Sequence, residues 1–285
     1  MRFALASAAL ALGLAAAPAA IAATSDSQLA QAAGVSARLD QALAGAHRSA
    51  ENKARDAFRN PKATLEFFGL EPGMTVIEIS PGGGWYTEVL APVLREEGRL
   101  IIATGLNGQA RTGLVNTFNR FAANPAVYDK VQVVGYDVRG NQPLVAPGSA
   151  DMVLVVRHMH GLFGQGTQAQ ALKLYFDALK PGGVLGVIAH RWPADQAKPT
   201  KEEMDKLPYK MNGYLSEAEV IAAAEAAGFT LAARSDINAN PKDTRNHPSG
   251  VWSLPPNFMN VSEADQPRFA QIGESDRMTL KFVKP

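Results

Sequence analysis

Cysteine is missing from all 285 residues, and that one absence removes several kinds of chemistry. No disulfide, thiolate zinc site or cysteine nucleophile can form. No lipid can be attached through a cysteine. A chain without staples is compatible with an oxidising compartment. Charge imbalance is lacking too: 28 Lys and Arg stand against 27 Asp and Glu, a formal net charge of +1. Nucleic acid as the main partner therefore has no electrostatic footing. No internal repeat is present, and no low-complexity tract follows the first residues. What remains, 46% hydrophobic and 19% charged, is the composition of an ordinary globular core.

The first residues read as a targeting segment. Arg2 supplies a positive start, Ala4 to Ala20 is apolar and alanine-rich, and Ala20-Ile21-Ala22 is a small-x-small cleavage pattern. The expectation is a signal peptide over residues 1–22, a mature chain from Ala23, and a periplasmic or secreted protein without stable membrane insertion. A membrane anchor is the alternative reading of the same stretch, disfavoured by its alanines and the cleavage pattern. There is no twin-arginine pair, so the general secretory route is expected.

Beyond the leader, apolar runs alternate with amphipathic stretches. Ser25–Gly45 and Ser49–Phe68 read as N-terminal helices, the second broken or kinked at Pro61 and ended by Gly69. Strands are expected over Val76–Ile79, Arg99–Thr104, Val131–Tyr136, Asp151–Val156 and Val184–Ala189, with Phe229–Arg234 and Met278–Val283 last. Helices are expected over Trp85–Leu94, Asn107–Ala123, Thr167–Leu179 and Ser216–Ala227, the last opened by a Ser216/Glu219 capping box and closed by Gly228. Strands alternating with helices, each apolar enough to be buried on both faces, predict a parallel α/β sheet. Residues 235–277 form a long stretch rich in proline, asparagine and charge. Its Trp252, Phe258 and Phe269 favour a packed lid over disorder.

The most informative segment is Glu78-Ile79-Ser80-Pro81-Gly82-Gly83-Gly84-Trp85-Tyr86-Thr87. A strand, a glycine turn and a helix together make a nucleotide-cradling unit, because glycine lets a ligand approach the backbone and a helix start offers free N–H groups. A dinucleotide fingerprint needs a third glycine three residues after Gly84, and Thr87 stands there. The run instead resembles motif I of the class I S-adenosylmethionine-dependent methyltransferases, with Ser80, Gly82 and Gly84 at the three glycine positions and Glu78 as the acid. Lys180-Pro181-Gly182-Gly183 before a strand, and Tyr214-Leu215-Ser216-Glu217-Ala218-Glu219 leading to Ala226-Ala227-Gly228-Phe229, are similar to two further landmarks of that family. From about Arg55 to Pro285 the order of elements looks like its seven-stranded fold, closest to an exported, poorly characterised branch.

The resemblance implies a seven-stranded Rossmann-like sheet, mostly parallel with an antiparallel last strand and helices on both faces. It implies N-terminal helices over 23–70 and the methyltransferase-like domain over 71–285. It implies S-adenosylmethionine as cofactor, held by Glu78, Ser80, Gly82, Gly84 and Asp137, and a small-molecule substrate. It also exposes a departure. The family places a ribose-binding acid after the second strand, and Ala103-Thr104-Gly105-Leu106-Asn107 has none; Asn107 is the neutral substitute. A lost charge-assisted hydrogen bond weakens ribose binding by ~10- to 100-fold. Asp137 matches the position that contacts the adenine amino group, and it also reads as a turn carboxylate.

Ligands of open α/β sheets sit beyond the carboxyl ends of the strands. His158, His160 and His190 fall there, three of the five histidines. His160 is the first candidate for a base that takes the acceptor's proton, and His190 the second. The bland reading is that they satisfy strand-end backbone. The three could also hold a metal, although no strong spacing motif asks for one and none is expected. Arg157 and Arg191 read as anion binders or as surface ion pairs. Trp85 and Tyr86 read as ligand-stacking rings or as core. Arg55 to Pro61 is placed over the ligand mouth. Asp243, Arg245, His247 and Trp252 read as lid or solvated loop. The main functional expectation is an exported small-molecule methyltransferase. The alternatives are a non-catalytic exported small-molecule-binding protein on the same fold and a histidine–metal enzyme.

Overall fold

Short β-branched runs with apolar residues at both parities build the centre of the molecule, as burial on both faces requires. The computed structural model describes residues 34–105, 112–206 and 213–285. The signal-peptide reading and the Asn107 reading lie outside these residues. Seven strands make one sheet: β1 (Thr75–Ile79), β2 (Arg99–Thr104), β3 (Gln132–Gly135), β4 (Ala150–Val156), β5 (Leu179–His190), β6 (Thr230–Ser235) and β7 (Arg277–Val283). Their spatial order is β3-β2-β1-β4-β5-β7-β6. The first five run parallel, and β7 is antiparallel to both β5 and β6.

Period-two alternation sorts the strand residues into two layers. Ile77, Ile79, Val153, Val155, Leu185 and Val187 pack on one face, with α8 (Met159–Gly164), α9 (Gln168–Ala178) and α11 (Glu217–Ala226). Val76, Leu100, Ile102, Met152 and Leu154 pack on the other. That face is covered by α1 (residues 34–44), α4 (Pro61–Phe68) and α5 (Thr87–Leu94). Each fully buried Leu, Ile or Phe contributes ~1.5–3 kcal/mol. Glu78 shares the parity of Val76, so its carboxylate is carried under the first turn of α5.

The stretch before β1 is broken at Pro61, as its sequence leads one to expect, and once more at Arg55, which gives three short helices: α2 (Ala50–Ala54), α3 (Asp56–Arg59) and α4. Asn60, in the left-handed region at φ 41°, divides α3 from α4, and Pro61 opens α4 where its missing N–H costs nothing. The helix expected from Trp85 starts at Thr87, after turn residues. The Lys180–Gly183 turn sits inside β5, where pairing with β4 jumps from Ala150↔Leu179 to Met152↔Val184. The Ser216 half of the capping box forms: its hydroxyl accepts the Glu219 N–H at 3.2 Å and donates to the Glu219 carboxylate at 3.1 Å.

Residues 236–276, between β6 and β7, pack over the carboxyl edge of the sheet. They carry a short 3-10 turn (Gly250–Ser253) and α12 (Gln266–Ile272). Asp243, fully buried, is the hub: it accepts from the Tyr214 hydroxyl at 3.0 and 2.9 Å and from the Asp276 N–H at 2.8 Å, and it pairs with His247 Nε2 at 2.8 Å. Asn238 donates to Thr64 in α4 and Thr279 in β7, both at 3.0 Å. Asn60 donates to the Ile237 carbonyl at 2.6 Å. The segment and the N-terminal helices thus clasp each other above the strand ends. Among the described residues no helix is long and apolar enough to cross a membrane.

Candidate functional site

The strand order reverses between β1 and β4, and two cavities open beyond their carboxyl ends. The first, about 660 Å³, runs over β1, β2 and β3; its lining includes Ser80, Gly82, Gly83, Thr104, Tyr136 and Asp137. The second, about 400 Å³, lies over β1, β4 and β5, under α2, α3 and the clasping segment. Ser80, Gly82, Gly83 and His158 line both, so the glycine turn is their common wall.

The turn is built by conformation. Ser80 adopts φ 49°, Gly82 φ 58° and Gly84 φ 75°. Left-handed backbone in a non-glycine residue costs roughly 1–2 kcal/mol, and Ser80 carries that strain at the position of the first glycine. Its N–H donates to the Ala103 carbonyl at 2.8 Å, which pins the turn to β2. Among the described residues a Cβ on Gly82 or Gly83 would meet nothing within 4 Å, whereas one on Gly84 would lie 2.4 Å from Phe121 Cζ. Gly84 therefore lines neither cavity: its bare Cα admits α6 (Thr112–Ala122) against the turn. Gly83, absent from the sequence-level candidates, takes the place at the cavity wall.

Asp137 lines the first cavity and also accepts the backbone N–H groups of Arg139 and Gly140, both at 3.1 Å. Its turn role and its place on the cavity wall coexist. Beside it Tyr136 is fixed by a short hydroxyl–hydroxyl contact with buried Tyr175. Glu78 faces the second cavity instead of the first. It is 2% exposed and accepts the Thr87 hydroxyl at 2.6 Å. Burial pushes its carboxyl up to about 7, against the lowering effect of Thr87.

The histidines separate in role. His160, in α8, lines the second cavity, and its Nδ1 is buried without a hydrogen-bond partner among the described residues. Burial first, then His158 and Arg157, hold its pKa near 4, so the ring is neutral with a free ring nitrogen. His190, at the end of β5, is fully engaged. Arg157 Nε donates to its Nε2 at 3.5 Å, so its Nδ1 carries the hydrogen and donates to the Ser275 hydroxyl at 2.5 Å. The two rings are 5.5 Å apart, and Trp252 closes on His160 at 5.4 Å. Among the described residues no three His, Cys, Asp or Glu side chains are grouped to hold a metal ion. His158, His160 and His190 thus do not form the set that a histidine–metal enzyme would need.

The arginines separate as well. Arg191 is committed to Asp236 at 2.6 Å, Asp276 at 3.0 Å and Glu217 at 3.3 Å, the ion-pair fate. Arg157 lines the second cavity with Arg55 and Arg59, and adopts φ 54°. Trp85 and Tyr86 are core residues whose edges reach that cavity. The Trp85 ring is taken by Arg59, 4.7 Å from its centroid, and its Nε1 donates to the Asn52 carbonyl at 2.9 Å.

No family model matches the sequence, and no curated protein does. Solved structures match in shape. A SAM-dependent methyltransferase from Aquifex aeolicus is 21% identical, with a TM-score of 0.50, over 66% of this chain and 89% of its own. Geranyl diphosphate methyltransferase, solved with SAM, is 13% identical, with a TM-score of 0.55, over 86% of this chain and 95% of its own. The chain has the class I methyltransferase fold. The [4+2]-cyclase SpnF shares it at 16% identity and a TM-score of 0.55, over 91% of this chain and 96% of its own. At such identities the likeness carries the fold and leaves the reaction to the site.

Several site residues had no local signal in the sequence. Glu274 and Ser275 precede β7, yet they reach Arg59 and His190 across sequence separations of 215 and 85 residues. Pro256 and Asn257 complete the second cavity from the middle of the clasping segment. A proline- and asparagine-rich stretch marks a loop; it does not mark which strand end the loop covers.

Proposed function

We propose that this chain is an S-adenosylmethionine-dependent methyltransferase of small molecules, exported by the leader read at residues 1–22. The observation that carries the reading is the pair of cavities sharing the glycine turn. The donor set fits the cofactor: Gly82 and Gly83 present bare backbone to open space, and Thr104, Tyr136 and Asp137 line the nucleoside side. Asn107 and Ser80 are assigned to the same ligand, Asn107 from the sequence alone, while Glu78 faces the second cavity, on the acceptor side of the glycine turn. When bound, S-adenosylmethionine supplies an electrophilic methyl group on its sulfonium.

The protein's own residues do the rest. The second cavity holds the acceptor, with Trp252, Pro256 and Asn257 excluding water. His160, neutral and with a free ring nitrogen, accepts the proton that the acceptor's nucleophile gives up. His190 holds Arg157 in place and is not itself the base. In an assay of S-adenosylhomocysteine release, with pooled small metabolites as acceptors, His160→Ala is expected to lower turnover by ~10²-fold or more with cofactor affinity kept. Equal turnover in wild type and variant would remove His160 from the chemistry.

One observation favours a second reading, a binding protein without turnover. Asp137 is the one carboxylate on the first cavity's described lining, so the nucleoside site lacks the acid expected after β2. This reading expects cofactor binding with no S-adenosylhomocysteine released from any acceptor pool.

A further inference from the structure

The second cavity carries more positive charge than its own residues neutralise. Arg55 Nε donates to Glu274 Oε1 at 2.7 Å. Arg59 Nε donates to both oxygens of the same carboxylate, at 3.1 and 3.0 Å. Arg277 donates at 2.8 Å, and a terminal nitrogen of Arg157 lies 3.9 Å away. One buried carboxylate thus faces four guanidinium groups. The nearby acids are committed elsewhere: Asp56 to Arg48, with two bonds of 2.7 Å, and Glu88 to Arg120 at 3.1 Å and Asn52 at 3.0 and 2.9 Å. Glu78 is kept largely protonated below pH 7 by burial.

Uncompensated buried charge is costly, and a fold that retains it does so where a counter-charge arrives. Arg55 and Arg59 use only Nε in hydrogen bonds among the described residues. Their terminal nitrogens are left as two planar forks, and such forks match carboxylate and phosphate oxygens bidentately. Arg157 adds the third cation from the end of β4, in a left-handed conformation of the kind that clusters at ligand sites. Crowding is visible in the groups themselves: burial and the neighbouring Arg59 bring Arg157 down to about 9.

We propose that Arg55, Arg59 and Arg157 form an oxyanion subsite that takes the carboxylate or phosphate of the small-molecule acceptor. The proposal rests on the methyltransferase reading and names its substrate class, a small organic anion. A cavity of about 400 Å³ suits a small molecule of that kind. The rival source of an oxyanion is the cofactor's own carboxylate. S-adenosylmethionine also carries an ammonium and a sulfonium, so its arrival adds net positive charge and deepens the need for an anion.

Calorimetric titration of the full chain with inorganic phosphate at constant ionic strength, and separately with S-adenosylhomocysteine, tests the assignment. Millimolar phosphate binding is expected, weakened by about tenfold in Arg55→Gln and in Arg157→Gln. S-adenosylhomocysteine affinity is expected to stay within about twofold in both variants. The exposed Arg268→Gln changes neither. Glu274→Gln, which removes the negative charge beside the forks, tightens phosphate several-fold, a gain that misfolding cannot imitate. Absence of phosphate binding at about 50 mM overturns the subsite. So do arginine variants that weaken S-adenosylhomocysteine as much as phosphate, which would give the cluster to the cofactor. Phosphate binding through the arginines with no S-adenosylhomocysteine binding supports the subsite and removes the methyltransferase reading.

Discussion

Glu78 lines the second cavity, Glu274 pairs with arginines that line it, and the two carboxyls are driven in opposite directions. Burial raises the Glu78 carboxyl from 4.5 to about 7. Burial also acts to raise Glu274, but Arg59, Arg277, Arg157 and Arg55 outweigh it and hold the group at about 2. The consequences for stability have opposite signs. Glu78 is at its least costly below pH 4.5, and the fold loses stability as pH rises through about 7. Glu274 contributes above pH 4.5 and loses its contribution as pH falls toward 2. Glu78→Gln is therefore expected to match wild type near pH 4.5 and to exceed it at pH 8.5, by up to ~3 kcal/mol. Urea unfolding at the two pH values checks this; a pH-independent difference would contradict the assignment. The glycines separate by the same residue-level logic. Gly84→Ala drives a methyl into Phe121 and is expected to cost ~2–3 kcal/mol of stability. Gly82→Ala costs ~1 kcal/mol of backbone strain and shows itself in cofactor affinity instead. Equal melting temperatures for the two variants would contradict this division.

At the scale of elements, the strands were legible because β-branched runs bounded by turn residues have few other fates. The α11 capping box was legible because Ser216 and Glu219 stand three residues apart. Other features were hidden for physical reasons. Arg55 separates α2 from α3 without any glycine or proline to mark the division, whereas the break before α4 was legible in Pro61. The six-residue α8 is too short to show a period, yet it carries His160. The glycine turn was recognisable, but Gly84 looked like a ligand contact because its packing partner, Phe121, lies on a distant helix. The clasping segment is held by the buried Asp243 hub, so Tyr214→Phe is expected to cost ~1–2 kcal/mol. Hydrogen exchange checks where that cost falls: amides of residues 236–276 are expected to lose protection while those of β1 and β4 keep theirs. Uniform loss across the sheet would contradict the hub's local role.

At the scale of the molecule, sheet order places the glycine turn of β1 between the ends of β2 and β4, and this makes two cavities out of one edge. The N-terminal helices and the segment before β7 then roof the second cavity from opposite ends of the chain, meeting at the Arg55–Arg59–Glu274 cluster. The first cavity was legible in the sequence through motif I and Asp137. The charge of the second was legible only in part, through Arg157 as an anion binder and Arg55 to Pro61 over the mouth, because these arginines and Glu274 come together only on folding. The proposed methyltransferase function stands or falls with S-adenosylmethionine in the first cavity. Calorimetric titration of the chain from Ala23 with S-adenosylmethionine and S-adenosylhomocysteine tests it most directly. Micromolar binding of both is expected, weakened by about tenfold or more in Asp137→Ala and Gly82→Val. No heat of binding with either ligand at millimolar concentration would contradict it.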